Sequence, residues 1–260
     1  MAIRNVTHAQ CQQWVEKRGA ELSSSSFVQE LDTLRLVLDY AVSRGLILSN
    51  PAKEIKRRKL IKAKIVVPSR EQFQRLIDAM RDNDGTFGTQ GKGGDAADLI
   101  ELLAYSGARL AEGTALKWSD VDFARNAVTL TGGDKGTKNH EPRTIPMTSA
   151  LREFLSKLKD RRKPKDNDLL SVTKDAKKCL QTTCKKLGCP HFTHHDFRHF
   201  FATTCIESGV DIPTISRWLG HKDGGALAMK VYGHLREEHS FAMIKKVSFG
   251  SAAPANGTTG

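Results

Sequence analysis

Residues 193–221 read THHDFRHFFATTCIESGVDIPTISRWLGH, and the reading of this stretch decides the fold. Thr193 and Asp211 are residue types that open helices by accepting from free backbone N–H groups, while Gly209 and Gly220 are types that close them. The pattern predicts two consecutive helices that meet at Gly209. They carry two polar groupings, His195-Asp196-Phe197-Arg198-His199 and Leu219-Gly220-His221. An isolated arginine is usually a surface ion-pair partner and an isolated histidine a satisfied structural residue, so each grouping is weak alone.

Toward the amino terminus the pattern turns from helix to strand. Ala127-Val128-Thr129-Leu130-Thr131 and Arg143-Thr144-Ile145-Pro146 flank a loop rich in Gly, Lys and Asn, which predicts an antiparallel hairpin. Upstream, Asp95 is expected to open a helix through Leu99, Leu102 and Leu103, and Ser106-Gly107 to turn the chain into a short helical run from Arg109 to Leu116. Ser69 with Gln72 caps a helix carrying Phe73, Leu76, Ile77 and Met80, and the glycine-rich stretch from Asp82 to Gly94 reads as a flexible connection. Two further capping boxes, Thr7 with Gln10 and Ser26 with Gln29, are expected to open helices near the start; the second places Phe27, Leu31, Leu34, Leu38 and Ala41 on one stripe and stops near Gly45. Further helices are expected to start at Thr148 and Thr173 and to stop at Gly188. The fold class is therefore mainly α with a small antiparallel β-sheet. Residues 251–260 are small and polar and are expected to form a disordered tail.

The chain has 260 residues with 41 Lys and Arg against 29 Asp and Glu, a net charge of +12 that points to a polyanionic partner. Its 39% hydrophobic and 27% charged residues exclude disordered, collagenous and membrane classes. No stretch is long and apolar enough for a membrane span, and Met1-Ala2-Ile3-Arg4-Asn5-Val6 lacks the apolar centre of a secretory signal, so a cytoplasmic protein with no membrane partner is expected. The excess charge is localised. Lys53, Lys56, Arg57, Arg58, Lys59, Lys62 and Lys64 against Glu54 give +6 where Asn50-Pro51 suggests a linker, Arg152 to Lys186 gives +7, and the rest of the chain sums to −1. The linker is expected to meet the polyanion, whereas the second block reads equally well as a solvated face. Five cysteines in a chain without an export signal argue for reduced thiols. Cys179, Cys184, Cys189, His194 and His199 recur every fifth residue, a spacing that leaves a shared helix face and argues against zinc.

Taken in chain order, Arg109, Lys138, His195-x-x-Arg198, Leu219-Gly220-His221 and Tyr232 form a succession that resembles the tyrosine recombinase family, also called phage-type integrases, from roughly Pro68 to Val247. The resemblance implies a helical core-binding (SAM-like) DNA-binding domain at 1–62 that ends in the basic linker, a catalytic domain at 63–250 and the tail at 251–260. It implies that Arg109 and Arg198 grip the scissile phosphate, that Lys138 is the hairpin lysine with Lys135 as its rival, and that His195 and His221 complete the pocket. Tyr232, within Val231-Tyr232-Gly233-His234, would be the nucleophile. Glu112 and Asp120 stand where the family often has acids that brace its arginines. The interval from His221 to Tyr232 is longer than in the commonest family pattern and contains Gly224-Gly225, and the amino-terminal part is shorter.

These residue types suit one reaction. Two guanidiniums neutralise an anionic phosphodiester and the charge that builds on it, and losing one such donor typically costs about 10²- to 10³-fold in rate. A tyrosine hydroxyl with a reference pKa of about 10 needs neighbouring cations and a base such as His195 to react at neutral pH. The resemblance implies that Lys138 protonates the departing 5′ oxygen. The resulting 3′-phosphotyrosyl bond preserves the energy for rejoining, so no metal, ATP or other cofactor is expected. Only three tyrosines exist, and Tyr40 and Tyr105 both fall in helical runs, Tyr105 on an apolar one. The expected partners are double-stranded DNA at a specific site and, on that DNA, three further copies in a homotetramer, with a monomer or weak oligomer in its absence; the run Ser240–Val247, with Phe241, Ile244 and Val247 on one face, is a candidate protomer contact. Two alternatives share parts of the pattern. A helix-turn-helix regulator would use Asp211–Leu219 as its recognition helix, and a type IB topoisomerase would share the chemistry but act as a monomer.

Overall fold

A computed structural model describes residues 2–59, 66–82, 92–132 and 141–221. The chain forms two compact units, Met1–Lys64 and Ile65–Gly260.

The first unit is built on α1 (His8–Glu21) and α2 (Ser24–Ser43). Thr7 caps α1 as its capping box predicts, the hydroxyl accepting from the Gln10 amide and the Gln10 side chain accepting from the Thr7 amide. α2 opens three residues earlier than expected, because Ser23, not Ser26, accepts from the backbone, its donor being the Ser26 amide. Phe27, Leu31, Leu38 and Ala41 are buried along the predicted stripe. The segment expected as a linker belongs to this unit through residue 59. Ala52 and Ile55 are buried with the α2 stripe, and Arg35 donates to the carbonyls of Ala52, Lys53 and Ile55.

The second unit packs α3 (Arg70–Asp82) against α4 (Lys92–Ser106), with α8 (His194–Glu207) behind α4. Phe73, Leu76, Ile77 and Met80 meet Leu99, Ile100 and Leu103 in one core that extends to Phe197 and Phe200. Ser69 caps α3 as predicted, but α4 opens at Lys92, which puts Asp95 in its first turn. α5 (Leu110–Gly113) is a single turn. Strands β1 (Val121–Asp122), β2 (Ala127–Leu130) and β3 (Arg143–Pro146) form an antiparallel sheet in that order, with Val128 opposite Ile145 and Leu130 opposite Arg143. β1 is too short for an alternation to show in sequence. α6 (Ser149–Arg162) follows its Thr148 cap, and α7 (Lys177–Leu187) opens at Ala176 instead of Thr173, whose hydroxyl donates to the Asp175 carbonyl. α9 (Ile212–Leu219) opens at Asp211 and closes at Gly220 in the left-handed conformation, as predicted.

Part of the second basic block is structural. Asp98 on α4, only 3% exposed, receives Arg161 and Arg162 from α6 as well as Arg81 from α3, and Arg162 also reaches Asp95 at 2.7 Å. A buried carboxylate is tolerated because cations surround it. All five cysteines are free thiols, and burial pushes Cys205 up to about 11 and Cys184 upward as well. Among the described residues no group of three or more His, Cys, Asp or Glu is placed to hold a metal, and no helix is long and apolar enough to cross a membrane.

Candidate active site

Two turns meet in the second unit. Gly107 follows α4 with a φ of +63°, which lets the chain reverse and present its carbonyl inward. A Cβ there would stand 2.5 Å from the Phe201 ring, so the approach requires glycine. Gly220 reverses the chain after α9 with a φ of +65°, and there it is the Leu219 carbonyl that points inward. Between them, Arg198 on α8 is 3% exposed and donates from Nη1 to the Gly107 carbonyl at 2.6 Å and from Nη2 to the Leu219 carbonyl. Nη2 also lies 3.3 Å from His221 Nε2. Since an arginine only donates, Nε2 is the acceptor in any hydrogen bond between the two.

Arg109 follows the first turn and caps α5. Its amide donates to Glu112 Oε2 at 2.8 Å and its Nη1 to Oε1 at 2.9 Å. Glu112 is itself only 3% exposed and receives a second guanidinium in a bidentate fork, Arg143 Nη1 at 3.0 Å and Nη2 at 2.7 Å. Burial by itself raises this carboxyl. Hydrogen bonds from Arg143 and the Arg109 amide, with the Arg143 charge, more than offset it and hold the group at about 2. Glu112 therefore braces Arg109 as the resemblance implies. Asp120 does not: it accepts from the Lys117 amide at 2.9 Å and closes a local turn.

Arg109, Arg143, Arg217, Trp218, Gly220 and His221 line one cleft of about 490 Å³. Arg198 lies buried behind this lining, in contact with the Leu219 carbonyl and with His221. His195 stands three residues before Arg198, near one turn away on α8, exposed and with its ring 4.5 Å from that of His199. Burial first, then the neighbouring His195, push His199 down to about 4, so it is neutral at physiological pH. The structure brings Arg109, Arg198 and His221 together and leaves His195 at the edge. Lys138, its rival Lys135, Tyr232, Gly224-Gly225 and the run Ser240–Val247 lie outside the described residues, as do Lys62, Lys64 and the tail 251–260.

The other tyrosines are occupied. Burial and the Glu101 charge push Tyr105 up to about 12, and its hydroxyl donates to Glu101. The Tyr40 hydroxyl accepts from Arg44 Nε at 3.0 Å in the first unit. Of the basic residues predicted to meet DNA, Lys53, Lys56 and Lys59 are exposed, Arg57 pairs with Asp32 at 2.8 Å, and Arg58 donates to the Gly19 carbonyl at 2.7 Å with its guanidinium over the Phe27 ring. Arg58 thus serves the packing of its own unit. α9 buries Ile212, Ile215 and Leu219 against Phe201, Ala202 and Ile206.

Arg143 is the residue that sequence reasoning missed. A signal was present, since it shares a strand face with the buried Ile145 two positions on, and a charged residue on an apolar strand face needs a partner.

Comparison with known proteins agrees with this architecture. Tyrosine recombinase XerC of Alcanivorax borkumensis is 29% identical over 227 residues, covering 84% of this chain and 71% of that protein. XerC of Psychromonas ingrahamii is 28% identical over 237 residues, covering 86% and 74%. The Tn1549 transposon integrase, solved in complex with a circular intermediate DNA, superposes with a TM-score of 0.72 at 17% identity over 94% of this chain and 87% of its own. The model of the phage integrase family matches residues 69–239, well over half the chain, so this protein belongs to that family and is a tyrosine-type site-specific recombinase.

Proposed function

We propose that Tyr232 is the nucleophile through which this recombinase cuts and rejoins double-stranded DNA at a specific site, by way of a 3′-phosphotyrosyl intermediate. The observation that carries this reading is the position of Arg198, whose guanidinium bonds the turn before Arg109 and the turn before His221, two residues distant in sequence that line one cleft. Arg109 and Arg198 neutralise the phosphate's nonbridging oxygens, and His221 adds a polar group beside them. His195 accepts the tyrosine proton, and Lys138 protonates the leaving 5′ oxygen. Reversal with an exchanged strand completes recombination without an added energy source.

Residues 1–62 serve as the DNA-binding core-binding domain and 63–250 as the catalytic domain, with Lys53, Lys56 and Lys59 facing the duplex. Lys62 and Lys64 extend the same basic track. A tetramer forms on paired sites from a monomer or weak oligomer, in the cytoplasm. DNA nicked near the cleavage point, which traps covalent complexes, tests the reading. The unmodified chain is expected to accumulate a protein–DNA adduct, and Tyr232→Phe to lose it while still binding. An adduct that persists in Tyr232→Phe places the nucleophile elsewhere. Relaxation of supercoiled DNA by a lone monomer, with no exchange between sites, would favour topoisomerase action instead.

A further inference from the structure

Arg143 is drawn into the cleft, yet no role above uses it. Its side chain is 10% exposed, its Nη1 and Nη2 span the two oxygens of Glu112, and its Nε donates to the Trp218 carbonyl at 2.7 Å. Gly220 makes room for it, since a Cβ at that position would come within 3.1 Å of Nη1. Glu112 therefore lies between two guanidiniums, Arg143 on one side and Arg109 on the other.

The carboxylate does a job that a neutral side chain would do less firmly, because it accepts both from the Arg109 amide that begins α5 and from the Arg109 guanidinium. That geometry has an electrostatic cost. A carboxylate paired with Arg109 alone would cancel its charge, and a neutral pair attracts an anion far less than a free cation does in a partly desolvated cleft. With Arg143 present, two cations share one anion and the group keeps a single positive charge.

We propose that Arg143 is a positioning residue that counter-charges Glu112, so that the charge of Arg109 stays available to a phosphate in the cleft. The inference rests on the reading of Arg109 as a phosphate-binding residue. Arginine suits the task because its planar fork matches both carboxylate oxygens while Nε remains for the Trp218 carbonyl, which ties β3 to the turn that delivers His221.

The test compares the unmodified chain, Arg143→Met, and Arg143→Met combined with Glu112→Gln. Inorganic phosphate is titrated into isotope-labelled protein while the Arg109 amide resonance is followed, and adduct formation on nicked DNA is timed in parallel. Arg143→Met is expected to weaken phosphate binding roughly tenfold and to slow the adduct on the order of 10²-fold, with DNA affinity held within about threefold. Adding Glu112→Gln removes the uncompensated carboxylate and is expected to recover about tenfold in both measurements, a gain that a purely structural role does not give. A double variant no better than Arg143→Met overturns the inference. If Arg143→Met fails to fold, Arg143→Lys decides. Because it keeps the cation, it is expected within about tenfold of the unmodified chain, and a folded Arg143→Lys slowed on the order of 10²-fold overturns the inference. Absence of any adduct in the unmodified chain refutes the nucleophilic reading of Tyr232, while the phosphate titration still decides the role of Arg143.

Discussion

Gly107 shows how much of the site rests on single residues. Any side chain there must adopt a left-handed backbone and displace the Phe201 ring, so Gly107→Ala is expected to cost about 2–4 kcal/mol, read by chemical denaturation. The same change shifts the carbonyl that receives Arg198, and adduct formation should fall with stability. Two titratable groups, the buried Glu112 and the half-buried His199, contribute to the acid response. Glu112 is held at about 2, below its ordinary 4.5, so its contribution to stability is complete above pH 4.5 and is lost as the pH falls toward 2. His199 is held at about 4 against an ordinary 6.5, so the unfolded chain takes up a proton that the folded one refuses, and stability declines as the pH falls from 6.5 to 4. Denaturation at stepped pH is expected to show a shallower decline between 6.5 and 4 in His199→Gln, and between 4.5 and 2 in Glu112→Gln, each relative to the unmodified chain.

At the scale of elements, the start of α8 fixes the histidine–arginine spacing against the cleft. The Asp196 carboxylate accepts from the Thr193 amide at 2.7 Å and from its hydroxyl at 2.8 Å. Asp196→Ala is expected to cost about 1 kcal/mol and to lower the adduct rate more than DNA affinity, because it loosens the turn that carries His195. This cap was legible in sequence, as were those at Thr7, Ser69, Thr148 and Asp211, since each pairs a favoured cap residue with the onset of an apolar stripe. Where two such residues compete, local rules fail. Ser23 and Ser26 are both competent caps and the backbone takes the earlier one, while Thr173 turns back on its own loop and leaves Ala176 to begin α7. The hairpin strands were legible from their β-branched residues. The Glu112–Arg143 fork was not, because it joins residues 31 positions apart and only the closed sheet brings them together.

For the whole molecule, the net charge of +12 separates into two kinds of cation. Arg35, Arg58, Arg81, Arg143, Arg161 and Arg162 are spent on carbonyls and carboxylates within their own units. Arg58→Ala is therefore expected to destabilise the first unit by about 1–2 kcal/mol, measured by thermal denaturation, through loss of the Gly19 bond and the Phe27 contact. Lys53, Lys56 and Lys59 remain exposed, and replacing all three by Gln should leave stability within about 0.5 kcal/mol. The logarithmic dependence of DNA affinity on salt should become shallower by about 0.9 for each phosphate contact so removed. Arg198 is anchored like the first kind, by the main-chain carbonyls of Gly107 and Leu219, but it also meets His221 beside the cleft. Main-chain carbonyls persist whatever side chains surround them. The position of this guanidinium is thus buffered against mutational drift, and lineages that exchange most of the neighbouring residues can inherit the same placement of Arg198 as long as the two turns survive.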